Sequence, residues 1–333
     1  MAKRSTDELL NRAIDAMLAS RPPAPEERAN RSVLQLVSLA EALRELPRPD
    51  FRESLKSDLQ RRATMSEGSA ASTGVSARTT PAYMREGFNN ISPYILVNGA
   101  DRFMEFLKTT FQGTERIRVP RPDGSMMHGE VAIGNSVIEM GDANEQYPHR
   151  PTTVHVYVDD VDAAYNRALE AGATSVFSVS DQPWGDRLGS VRDEFGNVWY
   201  IATPKGWTPG PEGVLNVQPY LHLRNAHEMI PFAEAAFGAE VLGVGKSKEG
   251  LILHATIKVG RATFEIDEAH GEFQPIPCYL HAYVPDADAM YAQAVRAGAV
   301  GVEPPATRPY GERSGTIRDP FGNTWFLATN LGG

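Results

Sequence analysis

Arg192-Asp-Glu-Phe-Gly-Asn-Val-Trp199 returns 126 residues later as Arg318-Asp-Pro-Phe-Gly-Asn-Thr-Trp325, and that return organises the whole chain. Asp, Gly and Asn form tight turns, with Gly or Asn able to take a positive φ, and the apolar run after the turn starts a buried strand. Sliding the sequence by 126 positions aligns residues 91–204 with 217–330 without a gap, and about 35 of the 114 positions are identical. Pro93-Tyr94 returns as Pro219-Tyr220, and Tyr157-Val-Asp-Asp-Val-Asp162 returns as Tyr283-Val-Pro-Asp-Ala-Asp288. Two homologous domains follow, over 86–205 and 214–333, joined by a Pro/Gly linker at 206–213.

Each domain carries a weaker twofold pattern of its own. In the first, a strand over 91–97 leads to a helix over 101–111 and three further strands. A strand over 153–158 then leads to a helix over 161–171, which Asp159 or Asp160 can cap, and three more strands. The pattern is β-α-β-β-β twice per domain, so the predicted class is α+β with four such units. Upstream the texture differs. Residues 1–65 hold three amphipathic helical stretches punctuated by Pro22, Pro23, Pro25, Pro47 and Pro49, and 66–85, rich in Ser, Ala, Thr and Gly, read as a flexible linker.

Composition narrows the function. The 333 residues fit two ordinary domains or slightly more, and no stretch approaches the ~20 apolar residues of a membrane span. The start, MAKRSTDELL, has no signal-peptide core, so a cytoplasmic protein is expected, without membrane partners. A formal charge of −9 argues against nucleic acid as a partner, and the single cysteine, Cys278, excludes disulfide staples and thiol-rich zinc sites. Small molecules are the expected partners, with a homodimer or a protein partner held through the N-terminal helices as a further expectation.

With the motifs Val158-Asp-Asp-Val-Asp162, Arg167-Ala-Leu-Glu-Ala-Gly-Ala173, Trp184-Gly-Asp-Arg187 and Arg192–Trp199 in view, the sequence resembles the vicinal oxygen chelate superfamily. That group contains glyoxalase I, the bleomycin-resistance proteins and the extradiol dioxygenases, and the likeness is greatest to its PhnB-like branch. The resemblance covers roughly 88–330. It implies two tandem vicinal-oxygen-chelate-like domains, each of two βαβββ units, following a small helical region.

It also implies four metal-ligand positions per cavity. Carried onto this chain these are Ser92, Glu139, Thr153 and Tyr200 in the first repeat, and Gln218, Glu265, Tyr279 and Phe326 in the second. Only the glutamates survive in both, with Gln218 as a further oxygen donor, so the usual site looks degenerate. A different trio does repeat: His128, Glu139 and His155 return as His254, Glu265 and His281 with the same spacings of 11 and 16. Period-2 alternation puts His155 on the face of Thr153. Such a trio could hold zinc, manganese, nickel or iron, or move protons, with Glu139 and Glu265 as the catalytic candidates. The bland reading is that both histidines are hydrogen-bonded structural residues.

Candidate ligand contacts are Tyr94, Tyr200, Tyr220 and Phe326 on strands, His222 on the face of Gln218, and the loop residues Trp184, Arg187, Tyr310 and Arg313. The two arginines either line a pocket mouth or lock the loop by pairing with Asp193 and Asp319. Two functions compete: a metal-dependent lyase, isomerase or dioxygenase of the superfamily, and a metal-free binding protein that sequesters a small molecule in an aromatic cleft.

Overall fold

The computed structural model describes residues 80–204 and 216–332. The helical stretches expected in 1–65, most of the 66–85 linker and the 206–213 linker lie outside them. The described part contains four long helices and sixteen strands: β1 (Ile91–Val97), α1 (Ala100–Phe111), β2 (Thr114–Pro120), β3 (Met126–Ile133), β4 (Ser136–Asp142), β5 (Thr153–Tyr157), α2 (Val161–Glu170), β6 (Thr174–Asp181), β7 (Asp186–Arg192) and β8 (Val198–Pro204) in the first repeat, then β9 (Val217–Leu223), α3 (Met229–Phe237), β10 (Glu240–Lys246), β11 (Ile252–Val259), β12 (Ala262–Glu268), β13 (Tyr279–Tyr283), α4 (Ala287–Arg296), β14 (Val300–Thr307), β15 (Glu312–Arg318) and β16 (Thr324–Asn330) in the second. The β-α-β-β-β pattern is thus realised four times.

The repeated turn motif turns out to be a folding device. Asp193 accepts hydrogen bonds from the Phe195 and Asn197 amides through one oxygen, and from Asn197 Nδ2 and Trp199 Nε1 through the other, all at 2.9–3.0 Å. Asp319 does the same for Phe321, Asn323 and Trp325. Gly196 and Gly322 take positive φ at the turn, and both tryptophans are fully buried. Helix starts are equally explicit. Asp160 caps α2 through the Ala163 amide and Asp286 caps α4 through Ala289. At α1 the N-cap is Gly99, which has no side chain, and Asp142 at the end of β4 accepts from the Gly99 and Ala100 amides instead.

The strands pair in two sheets of eight, in the orders β14-β15-β16-β13-β1-β4-β3-β2 and β10-β11-β12-β9-β5-β8-β7-β6. Each sheet therefore joins units from different repeats, the first with the fourth and the second with the third. The junctions are antiparallel: Ser92 lies opposite His281 across β1 and β13, and His155 opposite Gln218 across β5 and β9. Pairing these strands hides the edges that β1, β5, β9 and β13 would otherwise expose. This corrects the assignment of one cavity to each repeat. Ser92 and Glu139 share a sheet with Tyr279 and Phe326, while Thr153 and Tyr200 share one with Gln218 and Glu265.

The apolar cores, by contrast, stay mostly within the repeats. Alternate residues of β1 and β5 (Ile95, Val97, Val154, Val156) pack with α1, α2 and Trp199, and the equivalent set surrounds Trp325 in the second repeat. Two asparagines fasten the repeats together. Asn90 donates to the Tyr283 carbonyl and accepts from the Arg261 amide, and Asn216 donates to the Tyr157 carbonyl and accepts from the Asn135 amide.

Candidate functional site: two unlike clefts

On the faces turned away from the helices, each sheet gathers polar and aromatic side chains. In the first cleft, His281 on β13 bonds through Nδ1 to Glu139 on β4 at 2.5 Å. In the second, His155 on β5 bonds through Nδ1 to Glu265 on β12 at 3.0 Å. The repeated trio is thereby split. Glu139 takes its histidine from the second repeat and Glu265 from the first, because β13 and β4 flank β1 in one sheet and β5 and β12 flank β9 in the other.

The third members diverge. His128 on β3 joins Tyr94 Oη at 3.1 Å and Glu130 Oε1 at 3.0 Å, so it belongs to a different carboxylate. Glu130 is fully buried and also meets Arg85 Nη1 at 2.6 Å. The last residues of the expected linker are thus anchored, with Met84 buried, and Phe88 just beyond it packs edge-on to Tyr283 and His281 with centroids 5.3 and 6.3 Å away. His254 on β11 is half exposed, with Nε2 3.7 Å from Glu265.

Charge follows this geometry. Burial pushes the Glu265 carboxyl up, but His155 and His254 beside it override that and hold it at about 2. Burial lowers His254 and His281, and their glutamates more than reverse it, leaving both above the usual histidine value. Burial, with Glu139 beside Tyr94 and Asp267 beside Tyr220, drives both phenols upward.

The second cleft has a further pair. His222 on β9 bonds through Nδ1 to Asp267 at 2.6 Å, and Asp267 also accepts from Tyr220 Oη at 3.3 Å. The first cleft has Leu96 and Gly141 at these places. His155 and His222 are 8% and 7% exposed, and the Nε2 atom of each is buried with no hydrogen-bond partner. Around them stand Tyr200, 5.2 Å from Tyr220, and Phe273, 4.9 Å from His222. A recess beside His222 is lined by Thr153, Arg192, Tyr220, Glu272 and Phe273.

The residues present do not fit a resident metal. Glu139 and Glu265 each accept from a histidine Nδ1, the place of a carboxylate that orients a histidine and not of one that ligates beside it. Gln218 Oε1 is engaged by the Thr263 hydroxyl at 2.7 Å. Among the described residues, no three His, Cys, Asp or Glu side chains converge as a cation site.

The loop candidates sit elsewhere. Trp184 and Tyr310 are 66% and 69% exposed. Arg187 is locked by Asp162 and Asp181, and Arg313 by Asp288, so the partners are helix and strand aspartates in place of the expected Asp193 and Asp319. His149 is half-buried with Nε2 sealed. Cys278 is buried, and burial pushes its thiol up. Phe326 does line the first cleft, 5.3 Å from Tyr94 and 5.5 Å from Tyr147. Sequence reasoning missed Glu130 and Asp267, although each lies two residues beyond a candidate on the same strand and so on the same face.

Residues 87–201 and 223–327 match the family model of the glyoxalase/bleomycin resistance protein/dioxygenase superfamily. The chain belongs to that superfamily. An uncharacterised protein of Mycobacterium bovis is 37% identical over 125 residues, covering 34% of this chain and 82% of the relative. One from Mycobacterium tuberculosis matches at the same identity over 74% of its length. Glyoxalase I from Zea mays superposes with a TM-score of 0.57 at 15% identity, covering 72% of this chain and 92% of that one, which is a likeness of superfamily fold. Within the described residues, no helix is long and apolar enough to cross a membrane.

Proposed function

We propose that this superfamily member binds a small molecule in the second cleft and does so without a resident metal. The carrying observation is the pair of buried, unpartnered imidazole nitrogens, His155 Nε2 and His222 Nε2. Buried polar atoms in folded proteins are nearly always hydrogen-bonded, and leaving one unsatisfied costs about 1–3 kcal/mol. Two such atoms in one cleft, each ring fixed from its other nitrogen by a carboxylate, are groups held ready for a ligand. The motifs Trp184–Arg187 and Arg192–Trp199 support placing the chain near the PhnB-like branch.

Within the site the glutamates and histidines divide their work. A carboxylate held at about 2 is a poor proton carrier at neutral pH, so Glu265 serves as the anchor that sets the His155 tautomer. Because a carboxylate only accepts, Nδ1 of each histidine carries a proton, which leaves Nε2 as the atom each ring turns to a ligand. Tyr200, Tyr220 and Phe273 supply the apolar walls.

Histidine side-chain 15N NMR combined with element analysis tests this reading. The expected result is sub-stoichiometric metal after repletion with zinc, manganese, nickel and iron, and selective shifts of the His155 and His222 rings by members of an aromatic fragment set. Stoichiometric metal that moves His155 and His254 together would overturn it.

A further inference from the structure

Resting on the binding reading above, we infer that the second cleft takes a flat organic cation with N–H donors, of the amidine or aminoaromatic type. The comparison between the two clefts carries this. Both hold buried carboxylates: Glu139, Glu130 and Glu312 in the first, Glu265, Asp267 and Asp186 in the second. Buried charge is stable only when paired. In the first cleft the chain itself supplies a permanent cation, the Arg85 guanidinium, 2.6 Å from Glu130. At the position equivalent to Glu130 the second cleft has Thr256, and its extra carboxylate is Asp267 in place of Gly141. Glu265 and Asp267 are joined by imidazoles and a tyrosine hydroxyl, where Glu130 of the first cleft meets a guanidinium. Arg192 at the rim is already engaged by Glu272 at 2.6 Å.

The hydrogen-bonding vacancies agree with the charge. His155 Nε2 and His222 Nε2 each lack a partner, and an amidinium or protonated aminoaromatic group carries several N–H bonds that a ring with its proton on Nδ1 can accept. The aromatic surround agrees as well. Tyr200 stands edge-on to both imidazoles, at 82° and 84°, and lies 6.1 Å from Phe273, so a flat cation entering there meets ring faces that attract it. Phe273 at present covers His222, on the connection between β12 and β13. That connection is tied to β7 by the Arg192–Glu272 pair, which is partly exposed and hence weakly held. The ligand enters by displacing the Phe273 ring.

The test uses three probes of nearly one shape and different charge: benzamidine, benzamide and benzoate, titrated into the full chain with histidine ring 15N shifts and calorimetry as readouts. Benzamidine is expected to bind at least about tenfold tighter than benzoate and to shift the His155 and His222 rings. Asp267→Asn and His222→Leu are expected to weaken it by about tenfold or more, with His281 undisturbed. His222→Leu alone strands the buried Asp267, so the double variant His222→Leu/Asp267→Gly, which copies Leu96 and Gly141 of the first cleft, serves as the control that keeps the fold and its thermal transition. Tighter binding of benzoate at the same two rings would overturn the cation assignment while leaving the cleft as a binding site. If none of the three shifts either ring at millimolar concentration, the cation assignment fails. Shifts from a neutral fragment would then still uphold the cleft, and silence from the whole fragment set would remove both readings.

Discussion

Three carboxylates set the behaviour of the two clefts. Glu265 is depressed from its ordinary 4.5 to about 2, so its contribution to stability is complete above pH 4.5 and is lost as pH falls toward 2. Acid titration of the transition temperature should show that loss, and Glu265→Gln should flatten it. His281 has the opposite sign. Its raised value means that its stabilisation is complete below the ordinary 6.5 and fades as pH rises through the folded value above it. The transition temperature of Glu139→Gln should lack that alkaline decline. Glu130, with no exposed surface, depends on Arg85 and His128. Arg85→Ala removes a partner from a buried charge and should cost about 3 kcal/mol in chemical denaturation, whereas an exposed pair such as Arg102–Glu194 should cost less than about 1 kcal/mol when broken.

The turn and the strand-to-strand junction are the elements that make four units into one body. Each Asp-x-Phe-Gly-Asn-x-Trp turn gathers four donors on one aspartate, so Asp193→Ala or Asp319→Ala leaves several buried donors unpaired and should destabilise by about 2–4 kcal/mol, visible in the urea midpoint. Gly134 and Gly260 sit where the asparagine clamps cross the sheet ends. Both have positive φ, and a Cβ there would meet Asn216 at 2.2 Å and Asn90 at 2.3 Å. Gly260→Ala should therefore lower the thermal transition by several degrees, for steric and backbone reasons together, while Gly250→Ala, with positive φ but open space, should lower it less. The turn was legible from the motif alone, because its residue types are dictated by local geometry. The clamps were not, since Asn90 and Asn216 bond to partners 171 and 81 residues away.

At the scale of the molecule, the two sheets run across the repeats and the two cores run largely within them. A chain cut by an inserted protease site between 204 and 216 should keep its halves together as a one-to-one complex in gel filtration, because both junctions, β1–β13 and β5–β9, survive the cut. Separation of the halves under native conditions would contradict that expectation. Two copies of one ancestor have also been given unlike clefts, one closed by its own Arg85 and Phe88 and one with two imidazoles lacking partners. The sequence by itself determined the repeat, the β-α-β-β-β units, the turn and helix caps and the residue types available to each cleft, since all of these depend on neighbours within a few positions or on copying. Only the tertiary structure decided which histidine meets which glutamate. That choice rests on edge pairing between strands of different repeats, and a strand edge carries its hydrogen-bonding groups on the backbone, where every sequence looks alike.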